Sequence, residues 1–149
     1  MQNKTLSSAR TEHDRTRLTD KHKLSLIVHQ LFVVWTKSNE DPNYTASLYK
    51  SLKEVVSPTN AARLRDAGVA RKMFIQDNRG RVRFRNGIAK PNEQMVISLL
   101  EYSKSTIQAK VVCEVKKADT ELEELKALLP ELRELVKFMN TIKSAINHD

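Results

Sequence analysis

A mainly helical fold carrying one β-hairpin is what this sequence predicts, on three observations. Only three Gly and four Pro occur among its 149 residues, too few turn formers for an all-β chain. Apolar residues recur at intervals of three and four along most of the length, the period of a helical face. Between residues 72 and 85 the period falls to two on either side of DNRG, a turn composition. Hydrophobic residues make up 40% and charged residues 30%, which excludes a disordered chain on one side and a membrane protein on the other. The longest unbroken apolar run, Leu31 to Trp35, is far short of the roughly 20 residues that cross a bilayer.

The elements follow in order. Residues 1–18 are polar and without periodicity, and are expected to form a flexible basic arm. Thr19 or Asp20 is placed to cap a first helix, whose inner face is Leu24, Ile27, Val28, Leu31, Val34 and Trp35. Pro42, within Asn39–Asn43, sets a turn. A second helix over 44–56 turns Leu48, Leu52 and Val55 or Val56 inward, with Tyr49 near its edge. Ser57 is a good N-cap, Pro58 stands where a missing donor does no harm, and Gly68 suits a left-handed helix exit. The third helix so bounded has Ala61 and Leu64 on one side. Thr59, Arg63 and Asp66 share the other, with Asn60 at the flank.

In the hairpin, Met73 and Ile75 alternate with Lys72, Phe74 and Gln76, and Val82 and Phe84 alternate with Arg81, Arg83 and Arg85. Beyond it, Asn92 can cap a helix carrying Ile97, Leu100, Ile107, Val111 and Val115. Thr120 and Glu123 fit a capping box. Leu122, Leu125, Leu129, Leu132, Val136 and Met139 form a coiled-coil-like seam at alternating spacings of three and four. Pro130 lies inside that seam and is expected to kink or divide the helix. The pattern predicts a head over 19–90 and a helical tail over 91–149.

Charge divides the chain the same way. The net charge is +8, with 26 Lys and Arg against 18 Asp and Glu. Residues 1–90 hold a balance of +10 and residues 91–149 a balance of −2. The densest basic window runs from Arg63 through Arg65, Arg71, Lys72, Arg79, Arg81 and Arg83 to Arg85, against Asp66 and Asp77. Seven of those eight cations are Arg, the better fork for phosphate, and such polarity points to a polyanionic partner. Arg81, Arg83 and Arg85 would stand about 6.6 Å apart on one face, close to the spacing of phosphates along a strand. The competing reading is a charged hairpin edge that deters aggregation.

No phosphate loop, zinc signature or nucleophile elbow occurs, so neither catalysis nor a cofactor or metal is expected. His22 and His29 are seven apart, about 10 Å along a helix, too far to chelate one ion alone. Cys113 follows Val111 and Val112 and reads as a buried thiol. Glu121, Glu123 and Glu124 read as a solvated helix start. Phe32 and Trp35 read as core, with a stacking role as the alternative. A single Cys and a polar N-terminus fit a cytoplasmic or nucleoid-associated protein.

Three helices followed directly by a basic hairpin resemble a winged helix-turn-helix domain. The resemblance covers residues 19–87 and rests on SPTNAARLRDAGV running into ARKMFIQ, DNRG and RVRFR. It implies that the third helix enters the major groove of duplex DNA, with Thr59, Asn60 and Arg63 facing bases. It also implies that Arg79, Arg81, Arg83 and Arg85 follow phosphates, with Arg65, Arg71 and Lys72 beside them. The expected function is that of a DNA-binding regulator, replication or segregation factor, dimerising through Leu122 to Met139, with a tail folded back on its own head as the alternative arrangement. No membrane or small-molecule partner is expected. Two alternatives stand beside it: an adaptor or inhibitor that binds protein through the apolar seam, and an RNA-binding protein.

Overall fold

Apolar helix faces must be covered, and the computed structural model of the chain shows what covers them. It describes residues 12–116 and 122–146, with side chains from 20 to 116 and from 126 to 146. Among these, α1 spans Glu12–Glu40, α2 Leu48–Leu52, α3 Pro58–Ala70, β1 Phe74–Gln76, β2 Val82–Phe84, α4 Glu93–Lys116 and α5 Leu122–Ile146. The described residues are thus mainly helical with one two-stranded antiparallel hairpin. The segment expected as an arm over 1–18 is helical from Glu12, so Thr19 and Asp20 are helix-interior residues and cap nothing. Residues 1–11 lie outside the described part, as do Thr120 and the side chain of Glu123.

Two caps are where the sequence put them. Ser57 is extended, and its Oγ accepts from the Asn60 amide at 3.2 Å, with Pro58 following at the first helical position. Asn92 Oδ1 accepts from the Met95 amide at 3.0 Å and starts α4. The exit of α3 differs from expectation. Gly68 is inside the helix, and the left-handed residue is Lys72, at φ 60°. The Met73 amide donates to the Gly68 carbonyl at 2.9 Å and the Lys72 amide to Val69 at 3.0 Å, the paired bonds of a Schellman exit. Gly68 is needed for another reason: a Cβ there would lie 2.2 Å from Phe74 Cε2. The helix surrenders a side chain so that the hairpin's main aromatic can lie against it.

That contact also sets the hairpin's phase. Phe74, Val82 and Phe84 are buried, and the two rings meet edge to face at 4.8 Å between centroids. Ile75 pairs with Arg83 on the outer face and is 45% exposed. Ahead of α2, Ala46 forms an isolated antiparallel bridge with Val82, exchanging hydrogen bonds of 2.8 and 2.9 Å. The hairpin is therefore tied to the α1–α2 connection.

One buried cluster draws on every helix and both strands: Leu24, Ile27 and Leu31 of α1, Leu48 and Leu52 of α2, Leu64 of α3, Leu99 and Leu100 of α4, and Leu135, Met139 and Ile142 of α5 among them. The division into a head and a separate tail is thereby corrected, since α5 packs on α4 and α1. The seam is corrected too. Its inner residues are Leu135, Met139, Ile142 and Ala145, with Leu132 half-buried against them. Val136 is half-buried and Leu129 is 44% exposed, while the side chains of Leu122 and Leu125 lie outside the described residues. Two stripes of the same spacing share Leu132 and Met139, and burial selects the one that continues to Ile142. Pro130 is exposed and does not divide α5.

Gly68→Ala should destabilise the protein by about 1–3 kcal/mol through overpacking against Phe74, measured by urea unfolding. Lys72→Gly should stabilise it by up to about 1 kcal/mol by relieving the left-handed conformation. The reverse order would place the essential glycine at the helix exit instead.

Candidate nucleic-acid interface

The polar residues of α3 divide between two sides, and the division is not the expected one. Asn60 and Arg63 are buried, at 7% and 8% exposure. Arg63 Nη1 donates to Asn60 Oδ1 at 2.8 Å, and Nη2 reaches the Glu131 carbonyl on α5 at 3.4 Å. The carboxylates of Glu131 and Glu134 stand 3.7 and 4.0 Å from the same guanidinium, while Ser103 of α4 donates to the Arg63 carbonyl at 3.4 Å. The expectation that Asn60 and Arg63 face bases is corrected accordingly: Arg63 faces α5, and Asn60 is buried beside it as its hydrogen-bond partner. The physical reason is phase. Asn60, Ala61, Arg63, Leu64, Ala67 and Gly68 are the buried positions of α3, a stripe wide enough to take in both polar residues. Ala62, half-buried, and Thr59 and Asp66, exposed, lie on its outer side.

Two of the three wing arginines are engaged within the fold. Arg83 Nη1 donates to the Pro42 carbonyl at 2.6 Å and Nη2 to the Ser38 carbonyl at 2.8 Å. It thereby caps the C-terminal end of α1, where a cation is favoured. Ser38 Oγ, itself buried, accepts from the Phe84 amide at 3.0 Å, fastening β2 to the same helix end. Arg81 donates to Thr45 through Nε and Nη2 at 3.2 and 2.8 Å. Arg81 is still exposed, while Arg83 is half-buried. The guanidinium groups of Arg79 and Arg85 are exposed and make no hydrogen bond or ion pair among the described residues. Asp77 shapes the turn between the strands, its carboxylate accepting from the amides of Arg79 and Arg81, each at 2.9 Å.

A second basic group lies where α2 meets α3, and the sequence reading missed it. Lys53 Nζ and Arg65 Cζ stand 5.1 and 5.2 Å from the centroid of the Tyr49 ring. The ring holds two cations by its negative face, and Arg65 also pairs with Asp66 at 2.9 Å. Lys50 is exposed beside them. The spacing of Tyr49 and Lys53, four apart on one helix, was the available signal. At the other end of α3, Arg71 lies 5.8 Å from the Tyr102 ring centroid, and Lys72 is exposed.

The remaining singled-out residues are placed as follows. Cys113 is exposed rather than buried, because α4 runs beyond the core before reaching it. His22 and His29 are exposed. Trp35 is half-buried, stacks on Phe32 and donates from Nε1 to the Ile88 carbonyl at 2.8 Å, holding the segment after the hairpin. Among the described residues there is no metal-binding group of three His, Cys, Asp or Glu, and no helix long and apolar enough to cross a membrane.

Arg63→Ala should lower stability by about 1.5–3 kcal/mol, the range for hydrogen bonds that involve a charged group, whereas Thr59→Ala on the exposed side should change it by less than about 0.5 kcal/mol. Equal, small effects in urea unfolding would deny Arg63 its structural role. Compared with family models, curated proteins and solved structures, the chain has no match, so its geometry alone carries the functional reading.

Proposed function

We propose that the chain binds the backbone of duplex DNA through the outer face of α3, the α2–α3 shoulder and the hairpin, as a winged-helix protein. The succession of helix, bridging Ala46, two helices and hairpin supports that fold reading. The observation that carries the functional one is a surplus of unpartnered cations. Lys50, Lys72, Arg79 and Arg85 are exposed, and their side chains make no hydrogen bond or ion pair among the described residues. Of the acids nearby, Asp66 is engaged by Arg65 and Asp77 by turn amides, which leaves exposed Glu40 and Glu54. Unpaired Arg and Lys around a short helix supply phosphate contacts, which hold and orient a protein without reading sequence.

With Asn60 and Arg63 turned inward, base reading falls to Thr59 and to whatever Arg65 can reach. Binding of this kind tracks charge more than sequence. It should therefore be strongly salt-dependent and weakly selective. Replacing Lys50, Arg79 and Arg85 together with Ala should reduce the slope of log affinity against log salt by about 0.9 per lost contact on B-form DNA. Arg83→Ala should act mainly on stability. An unchanged slope in the triple variant would refute this interface. Tighter binding to RNA than to duplex DNA of equal length would transfer the surface to RNA.

A further inference from the structure

A cleft of about 300 Å³ opens where α3, α4 and α5 meet, at the lower end of the size range of small-molecule sites. Its apolar wall is Ala67 and Ala70 of α3 with Ile107 of α4. Its charged wall is Arg63 and Asp66 of α3, Lys110 of α4 and Glu131 of α5. Among the described residues lining it, two cations thus stand with two acids, a balance that suits neither a simple anion nor a simple cation. Arg63 is the group that the fold leaves incomplete. It is 8% exposed, and its Nη1 is matched by Asn60 Oδ1 at 2.8 Å. Nη2 has only the Glu131 carbonyl at 3.4 Å, and the buried Nε has no hydrogen-bond partner among the described residues. Bonds from a guanidinium to a carboxylate are ordinarily about 2.7–2.9 Å and often paired. The Glu131 carboxylate makes no such pair, since Oε1 stands 3.7 Å from Nη2 and the side chain is 44% exposed. A buried donor without a partner is costly, and the cleft is the side from which a partner can enter.

We infer that this cleft binds a free α-amino acid with an aliphatic side chain. The ligand carboxylate takes Nε and Nη2 of Arg63, with Lys110 as the second cation. Its ammonium takes the carboxylate of Glu131, whose half-exposed side chain shifts to admit it. Asp66 is the lesser acid of the two, because Arg65 already holds it at 2.9 Å. The aliphatic side chain lies against Ala67, Ala70 and Ile107. Spacing selects an α-amino acid over a longer zwitterion: Arg63 Nη2 and Glu131 Oε1 are only 3.7 Å apart, and an α-amino acid carries its two charges on one carbon. Lys50, Lys72, Arg79 and Arg85 do not line the cleft, so the inference stands apart from the DNA-binding reading.

Equilibrium titration of the full chain with L-valine, L-leucine and L-methionine, each up to about 10 mM, should show one-to-one binding of at least one, with a Kd below about 1 mM. For that amino acid, the acid lacking its ammonium and the amine lacking its carboxylate should each bind at least about tenfold more weakly. This comparison uses the unaltered chain and so does not depend on any variant folding. Glu131→Gln keeps the backbone carbonyl that Arg63 uses. It should retain the helical circular dichroism and weaken binding by about tenfold or more, as loss of a charged hydrogen-bond partner does. Absence of binding by all three amino acids would overturn the inference. Equal affinity for a counterpart with a single charge would do the same, as would a folded Glu131→Gln chain that binds as tightly as the parent.

Discussion

The guanidinium of Arg63 is the polar tie between α3 and α5, two helices that otherwise meet little, since α5 packs on α4 and α1. Burying an arginine is costly unless its donors find partners; both terminal nitrogens of Arg63 have them, while its buried Nε has none among the described residues. Asn60 supplies one from the same helix, and the Glu131 carbonyl supplies another from the last. The glutamates are half exposed, so their attraction is softened by solvent and the hydrogen bonds carry more of the stabilisation. Leu135, Met139 and Ile142 seat the C-terminal helix on α4 and α1, and Arg63 adds a polar link to it from α3. The rotation of α3 follows from its buried Ala61, Leu64 and Ala67 and from the approach of Phe74 to Gly68, and Arg63 falls within that buried stripe.

The hairpin is placed by two further fits. Phe74 lies against a helix that has only a hydrogen at Gly68, and Arg83 with Ser38 binds β2 to the end of α1. An arginine that caps carbonyls inside the fold is withdrawn from any external anion. A hairpin that reads as a comb of equivalent cations therefore holds two engaged arginines, Arg81 and Arg83, flanked by two available ones. Arg83 steadies the strand, while Arg79 and Arg85 project from its turn and its base.

Much of this was legible in the sequence. Ser57 and Asn92 announced their helices, and the shift to period two announced the hairpin, because these signals are local and depend on backbone donors close by. The phase of β1 was not legible, since Met73, Phe74 and Ile75 are all apolar and the choice among them is made by Gly68 across the gap. Nor was the inner face of α5, where two stripes of equal spacing overlap at Leu132 and Met139. Arg63 misled because an arginine beside Asn60 on a short helix has the same pattern whether it faces a groove or a covering helix. Only long-range contact decides that, and Glu131 is 68 residues away.

Chemical footprinting of lysines by acetylation, with and without a saturating DNA duplex, tests the proposed DNA-binding surface most directly. Protection of Lys50, Lys53 and Lys72 is expected, with Lys104, Lys116 and Lys143 reacting equally in both samples. Protection confined to the α4–α5 side, or no protection at all at low salt, would contradict a DNA-binding face built on α2, α3 and the hairpin.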